Sequence, residues 1–366
     1  MEDERKIIMF MRPPLVDASE EDEKYSHPPL PDSIHNPKRK RNEVRLPPQK
    51  RLKHSYELAP PFKLDTLQDL LYLAWNYRGD SLDWFTLWKL IPSLTELNAL
   101  IGLESLKQSV IDLILLHIQD LRSTSDGGML HTVLYGPPGV GKTSSAHILA
   151  KIYCNMGFLT TDNVVVAKRT DFVKKWTGHS DSATMELLRS ALGGVLFIDE
   201  AYSMGNKNRV DDFAKAAVDL LNQFLSEHKD NFICIVAGYE NDLDKCFFSI
   251  NKGLKSRFPH TYHLGGYSAE DLYKMFRNRV KKCGWKLMDS SIDEIFFTTN
   301  KKVFLSYGRD IENFLEDCKT AHARRVCGTL EEKKLFTKKD IDVGLEKFLK
   351  HRKDEKEETD VSAMYL

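Results

Sequence analysis

The stretch Gly136-Pro137-Pro138-Gly139-Val140-Gly141-Lys142-Thr143 decides how this chain is read. It has the form G-x-x-x-x-G-K-[ST], a loop that cradles the phosphates of a nucleotide. Glycine is needed where several backbone amides must crowd one anion. Pro137 and Pro138 carry no N–H, so the cradling donors have to come from Gly139 through Thr143. Lys142 is placed to reach the β- and γ-phosphates, and the Thr143 hydroxyl to bind Mg²⁺.

The flanks supply the context that the motif requires. His131-Thr132-Val133-Leu134-Tyr135 reads as a buried β-strand. Residues 143–153 follow with helical spacing, placing Ala146, Leu149, Ala150 and Tyr153 on one face. Strand, glycine-rich loop and helix then follow in order. Further along, Val195-Leu196-Phe197-Ile198 is an apolar run that ends in Asp199-Glu200. Such a run predicts a central parallel strand, with both acids at its C-terminal edge, where open α/β sheets bind ligands. There Asp199 can hold Mg²⁺ through water, and Glu200 can polarise an attacking water.

The bulk of the sequence narrows the class. Its 366 residues are enough for one large or two modest domains. Acids and bases balance at 53 each, so overall charge does not by itself imply nucleic acid. The six cysteines are scattered without a CxxC pair, the pattern of a reducing compartment without structural zinc. No apolar run approaches the length of a membrane span, and the N-terminus lacks a signal-peptide pattern. These features predict an intracellular protein, of cytoplasm or nucleus, with no membrane partner.

Ten of the fourteen prolines lie at or before Pro61. Residues 1–61 are also charged and aperiodic, and are read as a disordered N-terminal segment. Within it, eight Lys/Arg face one acid, Glu43, between positions 38 and 53. That tract suits nuclear localisation or a nucleic-acid arm, and equally a solvated basic linker. Residues 62–100 form a small helical region of two or three short helices. Leu64, Leu67, Leu70, Leu71 and Leu73, then Trp84, Leu87, Trp88 and Leu90, recur at helical spacing. The stripe reads as core, with a partner-binding surface as the alternative. A helix over 104–121 precedes a nucleotide-binding core spanning 101–266. Its further strands are read at 164–166, 232–236 and 262–264, and its helices near 180–192 and 210–228. That alternation predicts a parallel sheet covered on both faces. From 267 to 350 the pattern is helical, with helices near 268–283, 289–299, 309–326 and 338–350. Thr337-Lys338-Lys339-Asp340 opens the last as a capping sequence, and 351–366 is a charged, frayed tail.

With these pieces placed, the chain resembles the AAA+ ATPases. Within them it is most similar to the group containing stage V sporulation protein K and the red-type rubisco activases (CbbX-like). The residues that carry this are LYGPPGVGKT (134–143), WTGHS (176–180), GGVLFIDEAYSM (193–204), IVAGYE (235–240), GLKSRF (253–258) and YGRDIENFL (307–315). The resemblance implies a P-loop NTPase fold. That is an α/β parallel sheet sandwiched by helices, in strand order 5-1-4-3-2, followed by an all-helical lid subdomain. It implies ATP and Mg²⁺ as cofactors and a homo-hexameric ring. The nucleotide set becomes Gly136, Pro137, Pro138, Gly139, Val140, Gly141, Lys142, Thr143 and Ser144, with Ile101-Gly102 as the segment against which adenine packs. Thr143 and Asp199 become the metal residues, and Lys142 and Glu200 catalytic residues.

Two arginines gain roles by the same resemblance. Arg257 matches the arginine finger that acts on a neighbouring subunit's nucleotide, and Arg309 matches the lid arginine that contacts the γ-phosphate. Trp176-Thr177-Gly178 matches the aromatic loop lining the central pore of remodelling rings. It departs from the pattern in having Trp for the usual Tyr or Phe and polar Thr for an apolar residue, and a core tryptophan is the alternative. Many relatives end the fourth core strand in Asn. This strand instead ends Ala237-Gly238-Tyr239-Glu240-Asn241, which leaves open what stands in that asparagine's place. Nothing in the first hundred residues resembles an activase, so the rubisco-related substrate is not carried over. The expected activity is ATP hydrolysis coupled to remodelling or threading a macromolecule, with a protein as substrate. The alternative is a nucleic-acid motor or loader using the tract 38–53.

Overall fold

The computed structural model describes residues 64–79, 81–121, 128–172, 180–205, 212–288, 291–328 and 332–364. These belong to one compact unit that begins at Ser55. The basic tract 38–53 and the Trp176-Thr177-Gly178 loop lie outside the described residues.

A five-stranded parallel sheet organises the core. Its strands are β1 (Thr132–Tyr135), β2 (Val164–Ala167), β3 (Val195–Ile198), β4 (Ile233–Gly238) and β5 (His260–His263), in the order β2-β3-β4-β1-β5. This is the expected 5-1-4-3-2 order. The three inner strands are apolar or otherwise buried along their whole length, as strands covered on both faces must be. The edge strands β2 and β5 keep partly exposed positions.

Side chains alternate between the two faces of the sheet. Leu134, Phe197 and Ile235 point into one core with α1 (Leu67–Asn76), α2 (Trp84–Ala99), α3 (Glu104–Ile118) and α4 (Lys142–Asn155). Val133, Leu196 and Val236 point into the other. There they meet residues of α5 (Arg169–Phe172), α6 (Ser180–Ser190), α7 (Asp212–Glu227) and α8 (Glu240–Leu243).

The 62–100 stripe forms two helices. Helix α1 starts at a capping box in which the Thr66 hydroxyl accepts from Asp69 N and the Asp69 carboxylate accepts from Thr66 N. Leu70, Leu87, Leu90, Leu94 and Leu97 are wholly buried in the same core as α4. Each such burial contributes about 1.5–3 kcal/mol. The Lys151–Glu96 ion pair at 2.7 Å ties α4 to α2.

The C-terminal part comprises α9 (Ala269–Lys282), α10 (Glu294–Asn300), α11 (Gly308–Arg325) and α12 (Lys338–Met364) around an aromatic core of Phe276, Phe297, Phe304, Phe314, Phe336 and Phe348. Among its described residues, the regular structure is helical except for a parallel pair of two-residue strands, β6 (Lys286–Leu287) and β7 (Leu335–Phe336). Helix α10 starts later than expected because Asp293 caps it, accepting from Phe296 N at 2.9 Å. Helix α12 runs past residue 350 to Met364, so the segment read as a frayed tail is helical through that point. Residues 351–364 contain no Gly or Pro and are rich in Lys and Glu, so nothing in them stops a helix.

The beginning of α12 is fixed by a buried charge cluster. Asp340 accepts from Arg325 Nε at 2.7 Å, His322 Nδ1 lies 3.1 Å from it, and Thr337 N donates to it at 2.8 Å. Burial pushes its carboxyl up, but these donors outweigh that and bring it down to about 2.

Candidate functional site

The site lies along the C-terminal edge of the sheet. Register places Tyr135 beside Gly238 and Ile198 beside Val236, so the loop after β1, the acids after β3 and the end of β4 are neighbours. Gly136 N donates to Gly238 O at 3.0 Å and closes the first step of the loop onto β4.

Between β1 and α4 the chain turns through Gly139 and Gly141, both with positive φ (77° and 90°). At Gly139 the reason is steric as well as conformational. A Cβ there would stand 2.0 Å from Ser306 O, at the start of α11. Gly308 N also donates to Gly139 O at 3.1 Å, so the lid rests directly on the loop. Lys142, Thr143 and Ser144 form the first turn of α4, with Gly141 as N-cap. Free N–H groups and the helix dipole both favour an anion at that end. Thr143 and Ser144 are exposed there.

Lys142 Nζ donates to the carbonyls of Gly136 and Pro137, each at 2.9 Å. Burial pulls its ammonium below the ordinary lysine value. The carboxylates of Asp199 and Glu200 oppose that shift, and Arg309 adds to it. Those influences place Lys142, Asp199, Glu200 and Arg309 in one electrostatic neighbourhood. Asp199 N is anchored on Ala167 O at 3.2 Å. Glu200 adopts a left-handed conformation (φ 51°, ψ 44°), and its N donates to Asp199 Oδ1 at 3.1 Å. For a side chain larger than glycine that conformation is uncommon and marks a constrained turn. Arg309 enters from the first turn of α11. Next to it the buried Asp310 accepts from Ser306 N at 2.7 Å and from Arg352 Nη1 at 3.2 Å, which fixes the turn carrying Arg309.

A cavity of about 260 Å³ opens from the loop toward Ile101. Ile101, Leu103, Val140, Tyr267, Met275 and Ile311 give it apolar walls, and Gly141 and Ser144 join it to the loop. Arg279 and Glu312, ion-paired across α9 and α11, stand at its lid side. An apolar slot running into a phosphate cradle suits a nucleotide with its base in the slot. Tyr267 is central to this slot. Its hydroxyl donates to Val140 O at 2.9 Å, its ring faces Gly102, and it meets Tyr307 edge-on at 5.1 Å. Burial first, with Asp271 and Tyr307 adding, pushes its hydroxyl up to about 12, so it donates as a neutral phenol. The sequence reading did not single out Tyr267, Met275, Arg279 or Glu312. Each acquires its place only when the lid folds back on the loop, and the Gly265-Gly266 pair before Tyr267 was the one local signal of that return.

Arg257 is not brought to this cluster within the chain. Its Nε donates to Ser226 Oγ of α7 at 2.9 Å. Its charge is felt instead by His131, at the opposite end of β1 from the loop. His131 itself is buried, accepts from Cys234 N at 3.1 Å, and is brought down to about 4 chiefly by that burial. It stays neutral at ordinary pH, a core histidine between the sheet and α7.

Residues 132–265 match the profile of the ATPase family associated with various cellular activities (AAA). The chain is 38% identical over 295 residues to a cfxQ-like protein of Acanthamoeba polyphaga mimivirus, covering 80% of this chain and 72% of that one. The chain belongs to the AAA ATPase family. It is also 31% identical over 244 residues to stage V sporulation protein K of Bacillus subtilis, covering 63% of this chain and 74% of that protein. Protein CbxX of Cupriavidus necator is 30% identical over 260 residues, covering 67% and 82%. This AAA chain is therefore an ATP hydrolase of the CfxQ-like and sporulation-protein-K-like group, with the nucleotide binding that the family implies. Among its described residues no helix is long and apolar enough to cross a membrane.

Proposed function

We propose that this AAA ATPase hydrolyses Mg-ATP at the interface between subunits of a homo-hexameric ring, and uses the lid motion to thread or remodel a protein substrate. One observation carries the reading. Lys142, Asp199, Glu200 and Arg309 share one neighbourhood, while Arg257 lies at the far end of β1 from it.

ATP lies with its base in the slot beside Ile101-Gly102 and its phosphates over the loop from Gly136 to Ser144. Lys142 leaves its two carbonyl partners to neutralise the β- and γ-phosphates. Thr143 and, through water, Asp199 would hold Mg²⁺, offering the hard oxygen donors that this ion takes. The exposed Thr143 hydroxyl at the α4 terminus and the Asp199 carboxylate after β3, whose charge reaches Lys142, fit that ion. Bound there, it would neutralise charge that develops on the transferring phosphate. Glu200 orients and polarises the attacking water. Arg309 reads the γ-phosphate from the lid, and Arg257 supplies transition-state charge to the neighbouring subunit. The lid already touches the loop through Gly139, so a change at the γ-phosphate is passed to α11 as a rigid-body shift. Trp176-Thr177-Gly178 is the segment assigned to grip the substrate.

ATP binding and steady-state hydrolysis by single variants test the site. Lys142→Ala is expected to lose ATP binding. Glu200→Gln is expected to keep ATP binding and lose about 10²–10⁴-fold in kcat. Normal turnover in Glu200→Gln would contradict the assignment. Stimulation of ATPase activity by an unfolded polypeptide, lost in Trp176→Ala, tests the substrate class.

A further inference from the structure

Helix α7 carries a polar stripe of Asp219, Asn222 and Ser226, spaced by three and four residues and so on one face. Each member meets the segment that leads to Arg257. The Asp219 carboxylate accepts from Asn251 Nδ2 at 2.6 Å, and Asn251 Oδ1 in turn accepts from Gly253 N at 2.8 Å. A Cβ at position 253 would stand 3.7 Å from Asn222 Nδ2, so that side chain abuts the same turn. Ser226 Oγ accepts from Arg257 Nε at 2.9 Å.

The turn itself is fixed from its other sides. Leu254 and Phe258 are buried on either side of the 3₁₀ turn Lys255–Arg257, and Lys255 Nζ pairs with Asp244 Oδ1 at 2.8 Å. The Ser226 hydroxyl is oriented too. It donates to Asn222 O at 3.2 Å, which leaves a lone pair for Arg257. That bond engages Nε. Nη1 has a long contact of 3.4 Å to Ser256 Oγ, and Nη2 donates to nothing among the described residues. The outer fork of a guanidinium can bind two phosphate oxygens side by side. An arginine left free samples many rotamers, and arresting them only as the phosphate transfers would raise the barrier.

We propose that the α7 stripe, through Ser226, positions Arg257 for hydrolysis on the neighbouring subunit: Ser226 fixes the arginine at Nε and leaves its fork free for the neighbour's phosphates. The proposal rests on the reading of Arg257 as a residue that acts in trans. Ser226 is then a positioning residue whose effect is felt at a nucleotide that its own subunit does not hold.

The test measures kcat and KM for ATP in the full chain carrying Ser226→Ala, Ser226→Thr, Asp219→Ala or Arg257→Ala, and then in mixed rings. Ser226→Ala is expected to lower kcat about tenfold, the worth of one hydrogen bond to a charged group, with KM and thermal midpoint unchanged. Ser226→Thr keeps the hydroxyl and is expected to restore most of the rate. Asp219→Ala, which frees Asn251, is expected to lower kcat about threefold. Mixed rings separate positioning from a structural role. A Lys142→Ala chain donates only its arginine, and an Arg257→Ala chain offers only its nucleotide site. Ser226→Ala placed on the Lys142→Ala chain is expected to lower the activity recovered on mixing about tenfold. Placed on the Arg257→Ala chain, it is expected to leave that activity unchanged. Wild-type kcat in Ser226→Ala, or an equal loss whichever chain carries it, overturns the proposal while leaving Arg257 in place. Full activity of Arg257→Ala alone, or no recovery in co-assembled mixtures without Ser226→Ala, overturns the trans reading of Arg257, and the proposal with it.

Discussion

Lys142 shows how far a single residue can be read. Its place after a glycine-rich loop was legible from spacing alone, but its two carbonyl partners were not, because they depend on the turn that Gly136 and Pro137 make in space. Asp199 and Glu200 were legible as a strand-end pair. The left-handed backbone at Glu200 was not, since nothing in an apolar run ending in two acids encodes the turn that follows. A buried acid gives a prediction at this scale. Asp340 titrates near 2, below the ordinary aspartate value, because Arg325, Thr337 and His322 donate to it. Its folded-state pKa is depressed, so its stabilisation is present in full above about pH 4 and is lost as pH falls from there toward 2. Asp340→Asn is expected to destabilise the protein by about 3 kcal/mol at neutral pH, and the gap to the parent protein should narrow below pH 4. Denaturant unfolding at pH 7 and pH 3 measures both effects.

Elements carried the most legible information. The five strands were all located from apolar runs and alternation, and their parallel pairing followed from the helices between them. The pair β6–β7 was not legible, because strands of two residues carry no periodicity. The extension of α12 was masked by its charge, which reads as a solvated tail although Lys and Glu are good helix formers. Contact between the lid and the loop was also invisible, because it joins residues 139–140 to residues 267 and 306–308. That contact predicts two graded effects. Tyr267→Phe removes one hydrogen bond of about 1 kcal/mol and is expected to weaken ATP binding about fivefold with little loss of fold. Gly139→Ala forces a Cβ against Ser306 O and demands positive φ of an alanine, and is expected to lower ATP affinity far more. Calorimetric titration of ATP into each variant separates the two.

At the scale of the whole molecule, Arg257 and the nucleotide site stand apart. The arginine is held by Ser226 beside the start of β1, while the loop begins at its end. A four-residue strand separates them by about 13 Å, too far for direct contact with the same nucleotide. If Arg257 acts on a nucleotide, it must act on that of a second subunit, and a closed ring satisfies every site at once. The central claim is that hydrolysis uses Lys142 of one subunit with Arg257 of the next. Subunit mixing tests this directly. Lys142→Ala and Arg257→Ala proteins, each inactive alone, are combined in equal amounts and ATP hydrolysis is measured. Random assembly should restore about a quarter of wild-type activity, because about one interface in four pairs an intact loop with an intact arginine. Full activity of Arg257→Ala alone, or no recovery in mixtures shown to co-assemble, would contradict it.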